Sequence, residues 1–257
     1  MKPLALLSND DGYDSPGLLA LAQAASAAFE VVVVAPMHEQ SATSHSLSLH
    51  RPLRAREVDG HAFRCVAIDG TPADCVYVAL HTGTRFLPRR PDLVLSGVNR
   101  GLNLGQDAFY SGTVAAAREG ALRGIPSLAL SAHSTKNLAD STRLGVALAT
   151  RLLETCAGRA VLFGLNVPAE WNGQLQVARL GRRLYDELVE IRSDPRGREY
   201  FWLGGPDVRH DVDPGSDTEA HDAGFATLSA LQLDLTEFRG QELAETLATG
   251  LGSATST

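Results

Sequence analysis

Two adjacent carboxylates, Asp10 and Asp11, follow a short apolar run near the start of the chain. Neighbouring carboxylates repel each other unless something neutralises them, and a divalent cation is the usual partner. Further oxygen donors stand at equivalent places, Ser41 in the loop after a second apolar run and Asn99 just past a third. The Asp10 and Asp11 carboxylates, the Ser41 hydroxyl and the Asn99 amide carbonyl are hard ligands, and no His or Cys stands at metal spacing. Such a set suits Mg²⁺, Mn²⁺ or Ca²⁺ better than zinc. The Asn9-Asp10-Asp11-Gly12 run also reads as a turn with an Asx cap. On the dipeptide alone the turn is the better reading; a strand-end position, where open α/β sheets bind ligands, brings the two level.

A second constellation runs from Asn99-Arg100-Gly101-Leu102-Asn103 to Tyr110-Ser111-Gly112-Thr113, which opens a helix. A helix start rich in Gly, Ser and Thr offers N–H groups and hydroxyls to an anion such as phosphate. Taken singly, Ser111 is better read as an ordinary helix cap. A cation site and an anion site side by side are what phosphoryl transfer needs. Other conspicuous residues have plainer readings. His38, His45 and His50 share one loop without zinc spacing, Asp74 stands near a helix start as a dipole partner, and Tyr200, Phe201 and Trp202 read as packing surface.

The elements that must position these residues alternate. Strands are expected at Pro3–Ser8, Val31–Pro36, Asp92–Ser96, Ser127–Ser131 and Ala160–Val167, with helices between them, the pattern of βαβ units closing a parallel sheet. Ser15-Pro16 starts a helix to about Ala28, Thr71-Pro72 starts another, and two more follow Ser111 and Lys136. A hairpin, Leu53–Val58 with His61–Ala67 around Asp59-Gly60, is expected at the sheet edge. After Val167-Pro168 the chain turns β-rich: Gln174–Leu180, Leu188–Ile191 and Tyr200–Leu203 surround an Asp194–Gly197 turn. The expectation is one Rossmann-like, three-layer α/β domain with a mostly parallel sheet. Its core would span 1–170, a β-rich oligomerisation arm and closing segment 171–237, and a frayed tail 240–257.

Composition narrows the function classes. With 257 residues, 44% of them hydrophobic, the chain can bury a full core. Its net charge is −7 and its basic residues are scattered, so a DNA or RNA polymer is not an expected partner. Cys65, Cys75 and Cys156 are odd in number and lack C-x-x-C spacing, which points to buried thiols in a reducing cytoplasm. The first apolar run is too short for a signal peptide or a membrane span.

Together the stretches SNDDGYDSPGLLAL (8–21), VVVVAPMHEQSA (31–42), IDGTPADCVYVAL (68–80), PDLVLSGVNRGLNLGQDAFYSGTVAAAREGALRGIPSLALS (91–131) and LNVP (165–168) resemble the ordered motifs of the SurE (survival protein E) family of nucleotidases. RSDPRGREYFWLGG (192–205) and GSDTEAHDAGFATLSALQLDLT (215–236) resemble its C-terminal motifs, so the likeness runs from residue 4 to about 237. The resemblance implies one divalent metal per subunit, Mg²⁺ or Mn²⁺, with Ca²⁺ an alternative in crystals, held by Asp10, Asp11, Ser41 and Asn99. It implies catalytic work for Asp10, Asp11 and Asn99, and a phosphate site lined by Asn9, Asn103, Ser111, Gly112 and Thr113. The implied reaction is hydrolysis of nucleoside 5′-monophosphates, extending to 3′-monophosphates and short polyphosphates, by a cytoplasmic homodimer or homotetramer. This chain departs from the family pattern at Ala42 and Ser44, where the family usually has glycines, and at Ser229-Ala230-Leu231, where it has Thr-Pro-Leu.

Three other classes compete. A receiver domain also carries an acidic pair after its first strand, but this chain is about twice the length such a domain needs. A dinucleotide oxidoreductase would want G-x-G-x-x-G where this sequence has Asn9-Asp10-Asp11-Gly12. A non-catalytic binding protein on the same fold is not excluded by fold alone.

Overall fold

The first strand shows why the sheet must be central. In Leu4–Ser8 (β1), Leu4 and Leu6 pack with one apolar cluster and Ala5 and Leu7 with another, all fully buried. A strand apolar on both faces needs cover on both sides. The computed structural model describes residues 1–133, 135–156, 158–185, 189–203, 208–211 and 213–249.

From β1 the chain runs through Pro16–Ala25 (α1), Glu30–Pro36 (β2), Ala55–Val58 (β3), Arg64–Ile68 (β4) and Pro72–His81 (α2). Then follow Leu93–Arg100 (β5), Asp107–Tyr110 (α3), Gly112–Leu122 (α4), Ser127–Ala132 (β6), Leu138–Cys156 (α5) and Leu162–Val167 (β7). Short strands Leu175–Val177 (β8), Arg183–Tyr185 (β9), Val189–Ser193 (β10), Glu199–Leu203 (β11) and Val208–His210 (β12) lead to Asp217–Asp222 (α6), Ala226–Leu231 (β13) and Gln241–Ala248 (α7). The main sheet is nine-stranded, in the order β3-β4-β2-β1-β5-β6-β7-β13-β8. From β4 to β7 every neighbouring pair is parallel. Chain order runs outward in opposite directions from β1 and β5, so the sheet has its switch point between them. Helices α1 and α5 cover one face over Leu7, Val33, Leu95 and Leu130, and α2 and α4 cover the other over Leu6, Val34, Val66 and Val94.

Local sequence sets the helix starts. Ser15 and Ser111 cap α1 and α4 through their hydroxyls, and Thr71 with Asp74 forms a full capping box on α2. Asp74 is thus the helix-start partner expected of it. α1 ends at Ala25, short of Ala28, because Ser26 closes its last turn.

The hairpin lies at the sheet edge as expected, with β3 outermost and antiparallel to β4, which pairs in parallel with β2. One expectation is corrected: the segment after residue 171 is not all arm. β13 runs antiparallel to β7 inside the main sheet and β8 lies beyond it, while β10 with β11 and β9 with β12 form separate two-stranded ribbons. In the expected 240–257 tail, α7 occupies Gln241–Ala248; residues 250–257, like Leu188 of an expected strand, lie outside the described residues. Cys65, Cys75 and Cys156 are buried free thiols. No helix among the described residues is long and apolar enough to cross a membrane.

Candidate metal and phosphate site

Past the end of β1 the chain must turn sharply, and Asn9 fixes that turn. Fully buried, its amide nitrogen donates to the Gly12 carbonyl at 2.9 Å and to Ser15 Oγ at 2.7 Å. Asn9, expected to line a phosphate site, braces with its amide nitrogen the loop that presents Asp10 and Asp11.

Asp10 is only 5% exposed and is seated on the start of α4. The Thr113 hydroxyl donates to its Oδ1, and the Thr113 backbone N–H serves it too. Gly112 permits this seating, since a Cβ there would come within 2.8 Å of Asp10 Cβ and 3.0 Å of Oδ2. Burial pushes the Asp10 carboxyl up to about 6, the Asp11 charge adds to the rise, and the Thr113 bonds oppose it. Asp11 is half-buried, and its Oδ2 accepts from the Arg100 N–H at 3.1 Å. Its pKa is also raised, by burial first and then by the Glu39 carboxylate, against the pull of Arg100.

That Arg100 bond places Asn99 in the backbone position next to Asp11. The Asn99 amide nitrogen donates to the Gly101 carbonyl at 3.0 Å, which leaves its carbonyl oxygen for a cation. Ser41 is exposed and donates to Glu39 Oε1 at 2.7 Å, and its neighbour Gln40 donates a backbone N–H to the Asp10 carbonyl at 2.7 Å. The loop carrying Ser41 is held at both ends. Ser44 bonds to the Phe109 and Tyr110 carbonyls, and His45 Nε2 lies 2.9 Å from Glu119 Oε2, so this histidine binds a buried carboxylate. His38 and His50 are exposed. Ala42 and Ser44 adopt φ of 56° and 54°, the left-handed region.

The remaining expected phosphate residues have partners inside the protein. Ser111 Oγ accepts from the Val114 N–H at 3.1 Å. The Asn103 N–H donates to Asn166 Oδ1 at 2.8 Å, and its amide nitrogen donates to Ser131 Oγ at 2.8 Å. A phosphate contact from these residues would be an additional bond. Sequence reasoning missed Thr113 as the holder of Asp10, Asn166 and Ser131 as the frame of Asn103, and Asp217. The buried Asp217 carboxylate accepts from the Gly105 N–H at 2.9 Å and the Gly181 N–H at 2.7 Å. Asn166 stood in the LNVP motif and Asp217 in the GSDT motif, which were the available signals.

The donor set fits a hard divalent cation, because two carboxylates with raised pKa values are two charges that a cation would relieve. Among the described residues no group of three or more His, Cys, Asp or Glu could hold a metal. A cation held by these two carboxylates would need further neutral oxygens, and the Ser41 hydroxyl and the Asn99 carbonyl are the candidates. Beside Asp11 and Asn99 a cleft of about 600 Å³ opens on the α1 and α5 face, lined also by Asp14, Glu39, Arg100 and His133.

Fold and site define a doubly wound α/β protein with an acidic, oxygen-rich centre at the switch point of its sheet. A family model described as "Survival protein SurE" matches residues 5–187, and the chain belongs to the SurE family. It is 56% identical over 98% of both chains to a protein of Sorangium cellulosum (strain So ce56) named 5'-nucleotidase SurE. A protein of the same name from Syntrophotalea carbinolica (strain DSM 2380 / NBRC 103641 / GraBd1) is 42% identical, covering 93% of this chain and 95% of its own. The crystal structure of the SurE protein from Aquifex aeolicus is similar with a TM-score of 0.80 and 37% identity, covering 95% of this chain and 99% of that one.

Proposed function

We propose that this chain hydrolyses nucleoside 5′-monophosphates to nucleoside and phosphate with the help of one divalent cation, Mg²⁺ or Mn²⁺, held by Asp10, Asp11, Ser41 and Asn99. The observation that carries the reading is the Asp10–Asp11 pair at the sheet's switch point, with Asp10 buried against α4 and raised to about 6. The names of the relatives support the same activity. A bound cation would neutralise the phosphoryl oxygens and make water a better nucleophile at phosphorus. The chain's own part is positioning. Thr113 fixes the rotamer of Asp10, the Arg100 N–H fixes Asp11, and the Asn166–Asn103–Ser131 bonds hold the loop that faces them. Water adds at phosphorus as the ester oxygen leaves with a proton, giving the nucleoside hydroxyl.

The proposal extends to 3′-monophosphates and short polyphosphates as further substrates, to a cytoplasmic location, which the buried free thiols support, and to a homodimer or homotetramer. Phosphate release from metal-stripped protein, with Mg²⁺, Mn²⁺, Ca²⁺ and Zn²⁺ added back against a panel of mononucleotides, tests it. We expect no turnover without metal and recovery with Mg²⁺ or Mn²⁺. Full activity in chelator would overturn the metal-dependent reading.

A further inference from the structure

We propose that a small cavity over Gly164, under α3 and α4, binds one water molecule that ties β13 through Ser229 to the loop carrying Asn103. The link to substrate binding rests on the phosphomonoesterase reading above; the water site itself does not. The argument begins with register. Ser131, Asn166 and Thr227 lie side by side across β6, β7 and β13, and Ala129, Gly164 and Ser229 form the next row on the same face. Gly164 has no side chain, so a gap opens in the middle of that row. Although the position is buried, a Cβ there would meet only Leu231 Cδ1, at 3.6 Å. Ala108 of α3 and Val114 of α4 line the gap from above. Its volume of about 10 Å³, counted for the centre of a water-sized sphere, is about what one water needs.

The lining asks for a polar occupant. Ser229 is 1% exposed, and its hydroxyl makes no hydrogen bond to any described residue. A buried hydroxyl left in that state is costly, and the cavities that stay dry are the apolar ones. No charged residue lines the gap, so an ion would find no counter-charge there. Asn103, Ser131 and Asn166 complete the polar lining, which gives a water the ~2–4 partners it requires. The Ser131 hydroxyl accepts from Asn103 Nδ2 at 2.8 Å and keeps its own proton to donate. Asn166 holds only the backbone of Asn103, through its N–H and carbonyl, whereas Ser131 holds the side chain. Water between Ser229 and Ser131 therefore braces the Asn103 side chain, which makes Ser229 a positioning residue for the expected phosphate site.

A high-resolution crystal structure is the direct test. We expect density within hydrogen-bond distance of Ser229 Oγ and Ser131 Oγ in the wild type, and none at that place in Gly164→Ala, whose methyl group takes the room. A dry cavity in the wild type overturns the proposal. The Asn103 side-chain amide protons, followed by NMR, should exchange with solvent about five-fold faster in Ser229→Ala and in Gly164→Ala. With 5′-AMP as substrate, KM should rise about five-fold in both variants while kcat stays near its wild-type value. A lower Tm with exchange and KM unchanged would assign Ser229 to packing alone and overturn its positioning role. If the wild type cleaves no phosphomonoester, the phosphomonoesterase reading fails, and density and amide exchange still decide this one.

Discussion

Asp10 is a charge the fold holds at a cost. With its pKa raised from 3.8 to about 6, the folded protein keeps this proton more tightly than the unfolded chain does. Its contribution to stability is therefore full below about pH 4 and is lost as pH rises through about 6. About two units correspond to about 3 kcal/mol. At neutral pH, Asp10→Asn should raise the Tm of the metal-stripped protein, and with Mg²⁺ or Mn²⁺ restored its phosphate release should fall by orders of magnitude. An Asn variant that melts below wild type in chelator would defeat this account of Asp10. Thr113→Val keeps the shape of the side chain and removes the donor, so divalent-metal affinity should fall about ten-fold; calorimetric titration with Mn²⁺ checks it, and unchanged affinity would count against the Thr113 role. Asp10, Asp11 and Asn99 were legible in the sequence because a strand end is a local signal. The service of Thr113 to Asp10 was not, since it spans 103 residues. A threonine in a helix's first turn announces a donor to an anion without saying which anion.

Besides the Ser44 bonds to α3, the loop between β2 and β3 keeps its shape through bonds to α2 and α4. Ser48 N–H donates to Asp74 Oδ1 at 2.9 Å, Thr71 Oγ1 donates to the Ser46 carbonyl at 2.7 Å, and His45 meets Glu119. These anchors hold Ala42 and Ser44 in a conformation that costs an L-residue roughly 1–2 kcal/mol each. Ala42→Gly should then raise Tm by a few degrees, about 1 kcal/mol after the added freedom of the unfolded glycine. Differential scanning calorimetry giving a lower Tm would contradict that. Glu119 is 2% exposed; burial pushes its carboxyl up, but the His45 bond and the Arg123 charge outweigh this and hold it below its usual value. A depressed pKa gives stability that is present above about 4.5 and lost in more acid solution. Glu119→Ala should cost about 3 kcal/mol at neutral pH by leaving its partners unpaired, and should raise the Mn²⁺ concentration needed for half-maximal activity by loosening the Ser41 loop. Chemical denaturation and a metal titration read the two effects. Capped helices and apolar strands were legible because cap and periodicity are local. β9, β12 and β13 were not, being three to six residues long and defined by partners far along the chain.

At the scale of the whole molecule, the ribbon of β10 and β11 carries an apolar stripe. Ile191 pairs with Phe201 across it and Val189 lies on the same face, and the three are 62%, 58% and 53% exposed. Exposed apolar strands of this kind favour pairing with another copy. Light scattering at micromolar concentration should show a dimer or tetramer, and Phe201→Asp should shift it toward monomer; a monomeric wild type would remove the arm from the account of assembly. Asp217 has a different kind of consequence. Every proposed ligand lies before residue 114, yet the loop bearing Asn103 is fastened at Gly105 by a carboxylate 112 residues downstream. During synthesis this fastening is made only after the chain through Asp217 has left the ribosome, so a nascent or prematurely ended chain carries every proposed ligand before the loop that bears Asn103 is fixed at Gly105.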